Sequence, residues 1–315
     1  MSLRISNTSF SSGFLYEISN LEQQQNTLQE QASSGLSVSL PEDNPAVMSQ
    51  VLDLQADGAA TSQYQKNINQ LQSSATTTGS ALSSLQALSS QASEIAVNAS
   101  SSTTSSTQMA AYASQVEALI QQAVSIANTQ DSNGNYIFAG TATSTQPFTT
   151  TTDANGNITA VTYQGNTSVA YSDIGPNNSV TAQIPGENNT GSGPQGLFAD
   201  SRTGANFFND LIQLQQDLAS GNSTAIAKND APAMTQDDDH IINQISANGV
   251  MQSALTAAGN IATATSTNIT TTVSNATNAD LAQTMTQLDQ TQTAYEAALE
   301  SGQMVMSVSL LNFLV

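Results

Sequence analysis

The chain has 315 residues, with 24 Asp and Glu against 4 Lys and Arg, one His, no Cys and a formal net charge of −20. Its only cations, Arg4, Lys66, Arg202 and Lys228, are too few to displace counterions from phosphate, which excludes a nucleic-acid binder; an anionic membrane surface would repel it. Zero Cys excludes a disulfide scaffold and thiol catalysis, and a single His excludes a His-based metal site or triad. The opening MSLRISNTSF lacks the basic-then-apolar pattern of a secretory signal, and no stretch approaches 18 apolar residues. No membrane-spanning helix and no cleaved signal are therefore expected.

The predicted elements begin with a heptad. Phe14, Ile18, Leu21, Gln25, Leu28 and Ala32 are spaced alternately four and three apart, the pattern of helices that pair along an apolar seam. SSGLSVSLPEDNPAVMSQVLDL follows: Gly35 suits a helix C-cap, Pro41 stops continuation, and Asn44 with Pro45 suits the start of the next helix. That helix is predicted from about residue 46 to 99, with Tyr64, Ile68, Leu71, Leu82 and Leu85 on its seam. The Ser/Thr run 100–107 reads as a loop. A third helix carries Met109, Ala113, Val116, Ile120 and Ala123.

At Asp131 the pattern changes. DSNGNYIFAG reads as a turn followed by a strand, Tyr136–Ala139, and Asn155-Gly156 as a hairpin turn. Thr, Asn, Gly and Val dominate to about residue 200. Helical spacing returns at Phe207, Phe208, Leu211, Leu214 and Leu218, and again at Ile241, Ile245, Leu255 and Ile261. From there it is expected to run on into a C-terminal heptad: Leu281, Met285, Leu288, Gln292, Tyr295, Leu299, Gly302, Met306, Ser309 and Phe313.

The fold class is therefore mainly α with a β insertion (α+β): a rod-like antiparallel helical bundle or coiled coil made by the N- and C-terminal segments, with a small β domain at its tip. Three domains are expected: 1–42 with 272–315 for terminal assembly, 43–135 with 203–271 as a helical rod, and 136–202 as an outward-facing β insertion. One helix cannot bury its own stripe, so the terminal stripes need each other or neighbouring subunits. The expected assembly surface is Phe14, Ile18, Leu21, Leu28, Leu281, Met285, Leu288, Tyr295, Leu299, Met306, Leu310, Leu311, Phe313 and Leu314.

Chemistry-bearing clusters are sparse. DDDH, residues 237–240, reads as a solvated helix-start cluster that suits the helix dipole, with metal binding as the lesser alternative. DSNGN at Asp131 has the look of the start of a calcium loop, but the bidentate Glu is missing, so a turn is the better reading. The remaining carboxylates are too dispersed to nominate a general acid and base. No enzyme activity, metal or cofactor is expected. Subunits of charge −20 repel when packed, so assembly in an acidic external medium is expected, where carboxylates are protonated.

Several stretches carry a family resemblance. LEQQQNTLQEQASSGLSVSLPEDNPAVMSQVLDLQ, with Ser34, Gly35, Pro41, Asp43, Asn44 and Pro45, is similar to the N-terminal signature of bacterial flagellins. SNATNADLAQTMTQLDQTQTAYEAALESGQMVMSVSLLNFL resembles their C-terminal region. NTQDSNGNYIFAGTATSTQPF, with Asn135, Tyr136, Phe138, Gly140 and Thr141, and the ending SLLNFL are similar to the hook–filament junction branch of that family rather than to filament flagellins. The resemblance implies a structural subunit of the bacterial flagellum, an adaptor joining the hook-associated ring to the filament. It implies as partners like subunits, the neighbouring hook-associated protein, flagellin and a cytoplasmic export chaperone, and type III export to the extracellular flagellum. It also implies terminal segments that order only on assembly, which would account for the apolar C-terminus. Filament flagellin is the alternative, and a secreted stalked adhesin with a ligand site in the insertion is the second.

Overall fold

The computed structural model describes residues 7–311, with side chains for residues 12–304. Helix α1 (Asn7–Ser34) ends where Gly35 takes φ +73° and donates its amide to Gln31 O at 2.9 Å. A side chain is strained in that left-handed region and glycine is not. Helix α2 (Pro45–Ala99) begins as the sequence indicates: Asn44 Oδ1 accepts from the Val47 amide at 3.2 Å, and Pro45 occupies the first helical position. Helix α3 (Ser106–Ala127) is capped by Ser105, whose side chain accepts from the Gln108 amide. The Ser/Thr run between α2 and α3 is a loop, as expected.

The β insertion is three small sheets. Strands β1 (Phe148–Thr152) and β2 (Ile158–Tyr163) form an antiparallel hairpin, as do β3 (Ser172–Gly175) and β4 (Asn178–Val180). Strands β5 (Glu187–Asn188), β6 (Ala199–Asp200) and β7 (Ala205–Asn206) make the third sheet, parallel between β5 and β6 and antiparallel between β6 and β7. Helix α4 (Phe207–Ser220) follows and stops at Gly221, again left-handed at φ +70°. A single turn, α5 (Ser223–Ala225), passes through a π-helical turn (Ile226–Asp230) into α6 (Ala231–Thr277), and α7 (Leu281–Leu311) closes the described chain. The fold class, mainly α with a β insertion, is the one the sequence indicated.

Two expectations are corrected. Tyr136–Ala139 is not a strand. Its donors and acceptors find scattered partners: Tyr136 donates to Thr143 O, Ile137 to Thr129 O, and Phe138 O accepts from Gly186. The apolar run marks burial, since Ile137, Phe138 and Ala139 are all inside, but no ladder forms on it. The C-terminal heptad is also a separate helix rather than a continuation of α6. Residues 278–280 break the helix, and Asp280 Oδ1 restarts it by accepting from the amides of Ala282 (3.0 Å) and Gln283 (3.2 Å). Asp at such a position satisfies helix-start donors better than it sustains a helix interior.

The chain divides into two compact units, one from the described parts of 1–60 and 265–315, the other from 61–264; both boundaries lie inside α2 and α6. The core of the second unit sets α3 and α4 against the hairpin β1–β2 and the C-terminal third of α2. Its centre is aromatic: Phe148 packs against Tyr163, Phe198 and Phe208 with ring centroids 5.1, 5.0 and 5.3 Å apart, and Phe138 meets Phe198 edge-on at 5.7 Å. Gly186 has no room for a side chain, because a Cβ there would sit 2.6 Å from both Phe148 and Tyr163. In a smaller cluster, Ile68, Leu71 and Ala75 of α2 pack with Leu255 and Ala262 of α6. These two helices run antiparallel there: Ile68 lies by Gly259, and Ala75 O accepts from Asn248 (3.0 Å) and Gln252 (3.2 Å).

The helices carry few charges, and their polar faces are largely Ser and Thr. Thr76, Thr77, Ser80, Ser83 and Ser84 on α2 each donate a hydroxyl to the carbonyl four residues back, and Thr286, Thr291 and Thr293 do the same on α7. Each hydroxyl is satisfied within its own helix, so the faces stay polar without ion pairs.

Candidate assembly interface

The candidate site is the pair of terminal helices in the first unit. Helices α1 and α7 lie side by side and run antiparallel. The Phe14 ring lies on Gly302, where an added Cβ would come 2.3 Å from the ring. Tyr295 Oη donates to Glu22 Oε1 at 3.2 Å, and that hydrogen bond, followed by the carboxylate's repulsion of the phenolate, holds the phenol above its usual range. Further along, Leu28 and Gln31 line a groove of about 740 Å³ with Gln287, Gln290 and Thr291.

The loop after α1 fixes the register of this pair. Ser37 donates its amide (2.7 Å) and hydroxyl (3.1 Å) to Thr277 O, and Ala279 donates to Gly35 O at 2.9 Å. Leu36 and Asn278 form an isolated antiparallel bridge. Within the loop, Asp43 Oδ2 accepts from the amides of Leu40 (2.8 Å) and Ser39 (2.9 Å), bonds that hold its carboxyl below the usual range. Pro41 and Asp43 thus shape a turn that delivers Asn44 and Pro45 to the start of α2, while Ser34 Oγ accepts from the Leu36 amide at 3.2 Å.

The expected interface residues fall into two sets. Phe14, Ile18, Leu21, Leu28 and Tyr295 are half-buried and Leu288 is buried. Leu281, Met285 and Leu299 are exposed, at 50%, 51% and 46%. Phe313 and Leu314 lie outside the described residues, and so do the side chains of Met306, Leu310 and Leu311. Sequence reasoning missed Leu15, Tyr16, Leu40, Leu52 and Met304, large apolar side chains that the first unit also exposes. They lie off the heptad seam, so the seam could not mark them. Their signal was only that Leu and Tyr sit among Ser, Glu and Gln.

The other motif segment lies inside the second unit. Asn135 closes a turn in which Asp131 Oδ1 accepts from the amides of Asn133 (2.8 Å) and Asn135 (2.9 Å). Burial pushes the Asp131 carboxyl up, but these amides outweigh it and hold it low. The same turn recurs at Asp153, whose Oδ1 accepts from Asn155 and Asn157 in the β1–β2 hairpin. DSNGN thus forms a turn closed by these amides. Tyr136 is half-buried, Phe138 is core, Gly140 is left-handed at φ +65°, and Thr141 donates to Asn166 Oδ1 at 3.1 Å.

DDDH is corrected. It lies within α6 rather than at a solvated helix start. Asp237 is 1% exposed and His240 is buried, with His240 Nε2 2.8 Å from Gly196 O. The structure also pairs carboxylates that looked dispersed. Asp237 of α6 meets Asp210 of α4, and Asp230 of the π-helical turn meets Asp217 of α4. The available signal was spacing: Asp210 and Asp217 are seven apart on one helix, and Asp230 and Asp237 are seven apart across the π-helical turn and α6.

Residues 5–143 match the bacterial flagellin N-terminal helical region, a span that runs from α1 through the Tyr136 segment. Over that region the chain is similar to bacterial flagellins. Its fold is shared with flagellar hook-associated proteins. A Vibrio parahaemolyticus protein described as a flagellar hook-associated protein superposes with a TM-score of 0.62 at 17% identity, over 75% of this chain and 100% of that one. Bacillus cereus FlgL gives 0.55 at 20% identity, over 70% and 99%. Flagellar hook-associated protein 3 from Legionella pneumophila gives 0.52 at 15% identity, over 76% and 99%. No curated protein matches by sequence. No described helix is long and apolar enough to cross a membrane.

Proposed function

We propose that this chain is a structural subunit of the flagellar hook–filament junction, an adaptor that joins the hook-associated ring to the flagellin filament through its terminal helices. The observation that carries the reading is the antiparallel α1–α7 pair with large apolar side chains turned outward, Leu15, Tyr16, Met285 and Met304 among them. Fully burying such side chains contributes about 1.5–3 kcal/mol each, which suits a face that neighbouring subunits cover. Support for the junction over the filament comes from fold relatives that are hook-associated proteins, matched over nearly their whole length. The role is mechanical and needs no catalytic group. Its partners are like subunits, the adjoining hook-associated protein and flagellin. Type III export with a cytoplasmic chaperone holding the terminal segments completes the reading. So does the three-part division, with 136–202 as an outward insertion between helical rod segments.

Immunogold electron microscopy of intact flagella with antibody raised to residues 140–200 tests this. One labelled band between hook and filament is expected. Label along the whole filament would overturn the junction role in favour of filament flagellin.

A further inference from the structure

Asp210 and Asp217 lie on one face of α4, two turns apart, and meet Asp237 and Asp230 across the contact with the π-helical turn and α6. Asp237 and Asp230 are 1% and 3% exposed, and one oxygen of each, Oδ2, is fully enclosed with no donor to satisfy it. A buried charged oxygen without a donor is costly. The remaining oxygens do not relieve it: Asp237 Oδ1 accepts only from the Asn206 amide at 3.1 Å. The Asn206 bond sets Asp237 at the start of α4, with Asp210 as its neighbouring carboxylate, and Asp217 is the neighbouring carboxylate of Asp230. Two carboxyl groups can share a hydrogen bond only if one of them carries a proton.

Among the described residues no cation pairs with these carboxylates. Lys228 on the π-helical turn is exposed, and Arg202 is spent on Asp200, 2.6 Å away. From α3, Glu117 is bound to the Ile158 amide at 3.2 Å, and from β2 the Tyr163 hydroxyl donates to Phe138 O at 2.9 Å. On α6 itself, Asp238 is half-buried beside the pair and His240 is held at Gly196 O. On α4, Asp217 Oδ2 accepts from Gln213 Nε2 at 3.0 Å and its Oδ1 accepts from Asn222 Nδ2 at 3.3 Å.

We propose that the contact of α4 with the start of α6 is a proton-operated lock, in which each Asp pair closes on one shared proton in acid and is forced apart when both members ionise. The electrostatics agree in sign. Burial first, and then Asp210, push Asp237 up to about 8; burial and then Asp217 push Asp230 up to about 6. Folded-state values above the unfolded ones mean the contribution is complete in acid and is lost as pH rises through about 6 and then about 8. Asp200, drawn down to about 2 by its bond to Arg202, works the other way, and its contribution disappears only in strong acid. The second unit is therefore tightest in mild acid and loosens towards alkaline pH, the reverse of the usual neutral optimum. This holds whether or not the chain sits at the junction.

Hydrogen exchange of the full chain, read by mass spectrometry on the peptide spanning α4 and corrected for intrinsic pH dependence, tests it. Protection is expected to fall at least about tenfold between roughly pH 5 and pH 8.5, and Asp237→Asn is expected to abolish most of that fall. An unchanged fall in Asp237→Asn, or flat protection in the unmodified chain, overturns the lock. So does calcium or magnesium ion restoring protection at high pH, which would make the pairs a cation site. If the variant does not fold, the carboxyl ¹³C signals of the unmodified chain decide: two aspartates titrating near 6 and 8 support the lock, and none above the ordinary range refutes it.

Discussion

Gly140 shows how one backbone position can govern the second unit. It is left-handed at φ +65°, and a Cβ there would sit 2.2 Å from the backbone oxygen of Asn166. Gly134, six residues earlier, is also left-handed at φ +81° but has open space around it. Gly134→Ala meets only the conformational cost, about 1 kcal/mol, whereas Gly140→Ala must also displace a neighbouring chain segment. Denaturant unfolding of the two variants is expected to show Gly140→Ala losing about 2–4 kcal/mol, well beyond Gly134→Ala. Equal losses would mean that the Asn166 contact yields freely.

At the scale of elements, the junction between α6 and α7 is held by side-chain capping on one side and loop pairing on the other. Asp280 accepts two helix-start amides, and the preceding Thr277–Ala279 backbone is tied to Gly35 and Ser37. Replacing Asp280 with Ala leaves those amides to water and is expected to cost about 1 kcal/mol. Faster exchange at the Ala282 and Gln283 amides, with α4 unaffected, is the expected signature. Loss of protection throughout the chain would show that the cap supports more than α7. The α1–α7 pairing explains why the heptad reading was half informative. Spacing placed Leu288, Tyr295 and Gly302 on one stripe with Leu281, Met285 and Leu299, but a single partner helix leaves the latter three exposed. A stripe wider than one contact leaves apolar surface exposed.

At the scale of the whole molecule, charge opposes the association of copies. Each chain carries −20 with only four cations, so bringing copies together at neutral pH works against repulsion that salt screens over about 10 Å at 0.1 M. Sedimentation of the purified chain at pH 7 is expected to shift towards larger species as sodium chloride rises from about 0.02 to 0.5 M. Association that weakens with salt would point instead to attractive ion pairs between copies. Polar helix faces fit the same picture, because Ser and Thr hydroxyls bonded to their own helix need no counter-charge.

The sequence by itself determined the helix boundaries at Gly35, Asn44 and Pro45, the α-then-β-then-α order, and the motifs similar to those of flagellins. Those signals are local: a cap, a proline or a glycine acts on the backbone within a turn of itself. Only the tertiary structure decided three other matters. It turned Tyr136–Ala139 into a buried irregular segment, because the acceptors for its amides lie in the chain before and after it rather than on a neighbouring strand. It broke the last helix at 278–280, where the loop after α1 competes for the backbone. It brought Asp210 to Asp237 and Asp217 to Asp230, because spacing fixes the face on which a carboxylate lies, whereas the packing of helices fixes which faces meet.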